Sequence, residues 1–205
     1  MRAVGGARIA LAATIVVAVL ATHAEALSRG PVNPFNMYGY FTVQSNLIAA
    51  ASWLVAGTLA LRGRARGVGP SLLGAVATTC LVIVGLVYAV LLAPLGAPGG
   101  VSLPWANLVL HVVSPLAAVV DWVLVGDRAR LSLSSLWVVL VYPISWTAVV
   151  LARGATDGWV PYPFLDPAQG YGVVAGYCAA IAALFAAVGA AALWASRLKV
   201  GSSPR

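Results

Sequence analysis

Residues 33–61 read NPFNMYGYFTVQSNLIAAASWLVAGTLAL, a polar, proline-bearing approach that turns into an apolar run. The run is long enough to cross a bilayer, because about 20 helical residues span a hydrocarbon core of roughly 30 Å. Yet four hydrogen-bonding side chains, Thr42, Gln44, Ser45 and Asn46, stand inside its first turns. A polar group placed in hydrocarbon is costly unless it has a partner or a task.

Five further stretches have the same character, so the chain divides into apolar segments at about 7–27, 39–61, 71–93, 103–126, 131–152 and 171–196. With 61% hydrophobic and 8% charged residues in 205, and a mean hydropathy of +0.96, the composition is far from that of a soluble domain. Strand-like alternation is absent, and a helix satisfies its own backbone groups in lipid. The fold class expected is all-α, a polytopic bundle of six transmembrane helices forming a single domain over 1–205. Connections such as RGRARGVGP, APLGAPGG and GDRAR leave no room for a separate soluble domain.

Arg and Lys are retained on the cytoplasmic side of short loops. With both termini cytoplasmic, that side holds Arg2, Arg8, Arg62, Arg64, Arg66, Arg128, Arg130, Arg197, Lys199 and Arg205, against Arg29 and Arg153 outside. The net charge of +7 therefore reports topology and contact with membrane lipids. Basic residues scattered over four segments, without interleaved aromatics, argue against a nucleic-acid partner. A rival reading takes MRAVGGARIALAATIVVAVLATHAEA as a cleavable leader ending at Ala24-Glu25-Ala26, which would leave five spans; the charge sorting favours retention. Eleven Arg against one Lys, with abundant Ala and Gly, suggest a bacterial coding sequence and a multi-pass protein of the cell membrane. Cys80 and Cys178 fall in different spans and read as packing residues. No metal-ligand spacing or phosphate loop is visible, and neither metal nor cofactor is expected.

The polar residues group into stripes. Tyr38, Thr42, Ser45 and Asn46 are spaced i, i+4, i+7 and i+8, one face of a helix, with Gln44 pointing elsewhere. In the fourth span Asn107, His111, Ser114, Ala118 and Asp121 recur every three or four residues, an interior face. Thr42 lies about one turn inside the boundary and His111 about two, close enough for side chains to meet. The Pro115 ring clashes with the carbonyl four residues back, that of His111, so the helix should deform at the histidine. Asp121, ~15 Å farther along the same helix, is too distant to orient His111 and is expected to meet Arg128, Arg130 or a neighbouring helix. Tyr142 and Trp146 in the fifth span, and Trp159, Tyr162 and Phe164 in the long loop RGATDGWVPYPFLDPAQG, are candidates to line or cover a cavity. Packing and interfacial anchoring are the simpler roles for these aromatics.

Three motifs, YFTVQSN, HVVSPLAAVVDW and YPFLDP, resemble those of prokaryotic six-span proteins related to the androgen-induced and androgen-dependent TFPI-regulating proteins. The animal members of that family hydrolyse fatty acid esters of hydroxy fatty acids with a threonine nucleophile and a histidine. Matched motif by motif, the resemblance implies those roles for Thr42 and His111, and an apolar acyl ester as substrate. A threonine alcohol needs a neighbouring base to attack a carbonyl, and a neutral imidazole can take its proton and return it to the leaving alcohol. Asn46 and Asn107, each one helical turn from one of the pair, are candidate oxyanion donors. The alternative is a non-enzymatic transporter, sensor or regulator, in which a buried histidine and aspartate serve proton movement or assembly.

Overall fold

The computed structural model describes residues 1–96 and 101–198; Lys199 and Arg205, counted above among the cytoplasmic residues, lie outside them. Among the described residues every regular element is helical, and six helices are long and apolar enough to cross a membrane. They are α1 (Arg2–Arg29), α2 (Phe41–Leu61), α3 (Val68–Leu95), α4 (Pro104–Leu124), α5 (Leu133–Thr156) and α6 (Tyr171–Ala195). Their ends differ by a few residues from those expected, most at α1, whose ~42 Å length carries it beyond a hydrocarbon core.

Close helix contact in lipid depends on small residues, since water no longer drives association. Gly5 of α1 and Gly57 of α2 meet backbone to backbone: a Cβ on either would lie 2.9 Å from the other's carbonyl oxygen. Helix α3 is the centre of the bundle, packing against α2, α4, α5 and α6, and its Thr79, Cys80 and Leu81 are fully buried. Helices α5 and α6 touch where Gly189 fits against Leu136 and Val139. Toward their other ends Tyr162, Phe164 and Leu165, from the loop joining them, pack into the same apolar cluster as Val174 and Phe185.

One end of the bundle is rich in arginine and collects both ends of the described chain. There Arg8 of α1, wholly buried, donates from Nη1 and Nη2 to the two carboxylate oxygens of Asp127 at 2.5 and 2.9 Å, and from Nε to Asp121 at 2.8 Å. Arg66 reaches Asp127 at 2.6 Å and Asp121 at 3.8 Å. Asp121 thus pairs with Arg8 and Arg66, not with Arg128 or Arg130. Arg128 instead lies over the Trp122 ring at 5.3 Å and donates to the carbonyls of Val125 and Ala195. The cluster ties α1, the α2–α3 connection, α4 and the connection after it. Burial alone would raise the Asp127 carboxyl, but the hydrogen bonds from Arg8 and the charge of Arg66 outweigh it and hold the group below its usual range.

A correction concerns Tyr38. It follows a one-turn helix, Pro34–Met37, capped by the Asn33 side chain, and α2 begins only at Phe41. The chain turns at Gly39, where a Cβ would lie 2.6 Å from the Trp159 ring. Tyr38 therefore leaves the helical stripe; its ring sits 5.6 Å from that of His23, and its carbonyl accepts from Gln44 at 2.8 Å.

Candidate functional site

Thr42 occupies the second position of α2, so its backbone N–H is one of those a helix start leaves without an internal partner. That N–H donates to the Tyr162 hydroxyl at 3.2 Å. The threonine Oγ1 is 3.4 Å from the same hydroxyl and 3.1 Å from His111 Nε2. Thr42, His111 and Tyr162 are all buried.

His111 reaches this position through an irregular stretch of α4. Residues Val109–Val113 form a π-turn, and the Ser114 N–H bonds Val109 O, five residues back. Leu110 O thereby loses its ordinary partner. It accepts instead from Asn46 Nδ2 at 3.0 Å, and more weakly, at 3.3 Å, shares the one Ser114 hydroxyl proton with Asn46 Oδ1. The deformation anticipated from Pro115 is thus a widened turn that turns a carbonyl toward α2. Gly85 of α3 makes room for it, since a Cβ there would stand 3.1 Å from the Pro115 ring. A matching π-turn, Tyr88–Leu92, precedes Pro94 in α3. The two irregular turns face each other, with Tyr88 and His111 stacked at 4.1 Å between centroids and 20° between planes.

The imidazole tautomer follows from its surroundings. Nδ1 lies 3.3 Å from the Asn107 carbonyl, which can only accept, so in the neutral ring the proton sits on Nδ1 and Nε2 is the acceptor. The Thr42 hydroxyl is then the donor in the Thr42–His111 bond. This is the arrangement that a base-assisted alcohol nucleophile requires.

Asn46 is wholly engaged in support. Its amide donates to Thr42 O at 2.9 Å as well as to Leu110 O, and its Oδ1 accepts from Ser114 at 2.5 Å. No N–H remains for an oxyanion; Asn46 locks the α2 turn carrying Thr42 to the α4 turn carrying His111. Asn107 Nδ2 donates to the Tyr88 hydroxyl at 2.8 Å, fixing the ring on which the imidazole stacks. The Tyr162 phenol stands beside the Thr42 hydroxyl, 3.4 Å away. Burial pushes it up to about 12, outweighing its hydrogen bonds with Thr42, so it remains a protonated donor at neutral pH.

Thr42, but not His111, lines a cavity of about 380 Å³, within the usual range of small-molecule sites. Phe41, Thr42, Trp146, Tyr162 and Phe164 belong to its wall, with aliphatic residues of α3, α5 and α6. Tyr142 does not: its ring stacks on Phe41 and its hydroxyl donates to Gln44 at 3.0 Å. Trp159 lies outside as well, under the Arg153 guanidinium at 4.3 Å. Tyr38 and Ser45 are also off the wall, and the Ser45 hydroxyl is buried without a hydrogen-bond partner. Trp146 anchors the wall by donating to Gly39 O at 2.8 Å. Among the described residues no cluster of His, Cys, Asp and Glu has the arrangement of a metal site.

Comparison with protein-family models, with curated proteins and with solved structures returned no match to this chain.

Proposed function

We propose that the protein is a membrane-embedded hydrolase of a lipid-like acyl ester, with Thr42 as nucleophile and His111 as base. The observation that carries this reading is the Thr42 hydroxyl held 3.1 Å from His111 Nε2, at the edge of an apolar cavity, while Nδ1 is committed to a carbonyl. Thr42 Oγ1 attacks the ester carbonyl carbon as its proton passes to Nε2. The carbonyl oxygen becomes an oxyanion that the Tyr162 hydroxyl stabilises by donating to it, 3.4 Å from the attacking atom before reaction. Collapse breaks the bond to the alcohol, which leaves with the proton from His111. Water, deprotonated by the same imidazole, then attacks the acyl-threonine; the bond from the acyl carbon to Oγ1 breaks, Thr42 takes its proton back from His111, and the fatty acid leaves. No cofactor enters this sequence.

The resemblance to the six-span hydrolase family, carried by YFTVQSN, HVVSPLAAVVDW and YPFLDP, supports the same roles. The charge sorting supports a bacterial plasma-membrane protein with the arginine-rich end cytoplasmic and the Thr42 end facing out.

A fluorophosphonate probe tests the proposal. The purified parent should be labelled and should release fatty acid from apolar esters. Thr42→Ala and His111→Ala should each lose nearly all of both, because residues of one catalytic unit are not additive. Thr42→Ser keeps the hydroxyl and should retain turnover. Undiminished hydrolysis by a folded Thr42→Ala protein would sink the nucleophile assignment.

A further inference from the structure

The cavity beside Thr42 has an opening that its catalytic reading does not require. Four of its wall residues, Ile144, Ala148 and Leu151 of α5 and Ala182 of α6, are exposed, unlike the buried Phe41, Thr42, Tyr162 and Phe185 of the same wall. The gap therefore lies between α5 and α6. Its depth is set by the helices: Ala182 is about 16 Å from the Tyr171 end of α6, and Ile144 about 18 Å from the Thr156 end of α5. In a bilayer about 30 Å thick these positions face acyl chains, not water. The helices meet at Gly189 near the arginine-rich end, and Tyr162, Phe164 and Leu165 fill the space at the other. What remains between is a window on the hydrocarbon.

The lining restricts what passes through it. Among the described residues, no Asp, Glu, Lys, Arg or His belongs to the cavity wall. Of its polar groups, the Trp146 N–H and the Thr147 hydroxyl are already bonded to backbone carbonyls. Two hydroxyls, those of Thr42 and Tyr162, stand together at one end, 3.4 Å apart. Along α5 the wall runs from Leu140 to Leu151, about 16 Å, so the space is elongated along the membrane normal. A charged group entering it would lose its hydration without compensation; a hydrocarbon chain would not.

We infer that the α5–α6 window is a lateral portal through which one acyl chain of an uncharged membrane lipid passes from the bilayer into the cavity, bringing its carbonyl to Thr42 and Tyr162. The inference names the substrate class and route for the hydrolase reading and rests on it for the fate of the carbonyl; the binding of the chain stands separately.

The test uses the full-length protein in phosphatidylcholine vesicles containing a long-chain alkyl ester whose acyl chain bears a photoactivatable diazirine. Adducts should concentrate on peptides carrying Ile144–Leu151 and Ala182–Phe185. Ala182→Trp and Ala148→Trp, which fill the window, should reduce them at least fivefold, whereas Ala183→Trp, exposed but off the wall, should not. Ala182→Leu should give an intermediate loss and guards against a misfolded tryptophan variant. If the parent also hydrolyses esters, the window variants should lose activity on the vesicle-borne ester in proportion to their lost labelling, and Ala183→Trp should keep it. Labelling at the window without hydrolysis would support the portal while overturning the hydrolase reading. Labelling spread evenly over the lipid-facing surfaces of all helices, or unchanged in both tryptophan variants, would overturn the portal even where Thr42-dependent hydrolysis is present.

Discussion

At the scale of single residues, the site is an alcohol, an imidazole and a phenol, each held by a different part of the chain. Tyr162 does two things at once: its oxygen accepts the Thr42 N–H, and its proton, directed at Thr42 Oγ1 at rest, stands next to where an oxyanion would develop. Tyr162→Phe should therefore lower kcat by roughly 10²–10³, the usual loss for one oxyanion donor, with KM little changed, in assays on short soluble esters. Equal kcat values for parent and variant would remove the phenol from the reaction. The phenol, pushed up to about 12, should impose no alkaline loss of activity below about pH 10, whereas an unperturbed tyrosine would begin to ionise there. Thr42 and His111 were legible in the sequence because a hydroxyl and an imidazole at similar depth, each on an interior face, are costly to place in lipid. Tyr162 was legible only as a loop aromatic. Nothing in local spacing could reveal that a residue 120 positions away caps the first turn of α2.

At the scale of elements, prolines and arginines decide more than hydropathy does. Each of two π-turns ends two residues before a proline, at Pro94 and Pro115, and together they bring Tyr88 and His111 into a stack. Pro115 could be read as a deformation of α4, but the register of the widened turn depends on which donors receive the freed carbonyl, here Asn46 and Ser114. Arg8 was counted only as a topological charge. It is in fact the keystone of an ion cluster that fixes α1 against α4 and the connection after it. Removing one partner of a buried pair typically costs about 3–5 kcal/mol, and Asp127→Asn should lower thermal stability in detergent at pH 7 accordingly. Because Asp127 is held below its usual range, its contribution is complete above the unfolded value of about 3.9. It is lost as pH falls through the folded value. Melting curves from pH 7 to about pH 3 should therefore show a steeper acid-side fall for the parent than for Asp127→Asn; parallel curves would show that the pair contributes nothing.

At the scale of the whole molecule, the bundle is asymmetric in burial. In the most apolar window of α2, 56% of residues are buried, against 17% in α5 and in α6, so the least buried pair is also the pair that flanks the cavity. The proposed orientation, with the arginine-rich end cytoplasmic, rests on the chain's charge asymmetry. Single cysteines at the exposed positions Ala65 and Arg130 should react with a membrane-impermeant thiol reagent only in inverted vesicles. One at Ala168 should react only in right-side-out cells, with Cys80 and Cys178 replaced by alanine in every case. The opposite pattern would reverse the orientation and place the Thr42 end in the cytoplasm.

Taken alone, the sequence determined that this is a chain of six lipid-compatible helices with short connections, because apolar length and the internal hydrogen bonding of a helix are local properties. It also determined which faces carry polar groups, since helical periodicity is read from spacing alone. Only the tertiary structure decided which of those groups meet. Tyr38 left its stripe because the chain turns at Gly39, and Asp121 met Arg8 and Arg66 because α1 packs against α2 and beside α4. Asn46 became a bridge once its amide found two carbonyls on different helices. These outcomes depend on helix rotation, axial offset and crossing point, which are set by glycine contacts and buried ion pairs far apart along the chain.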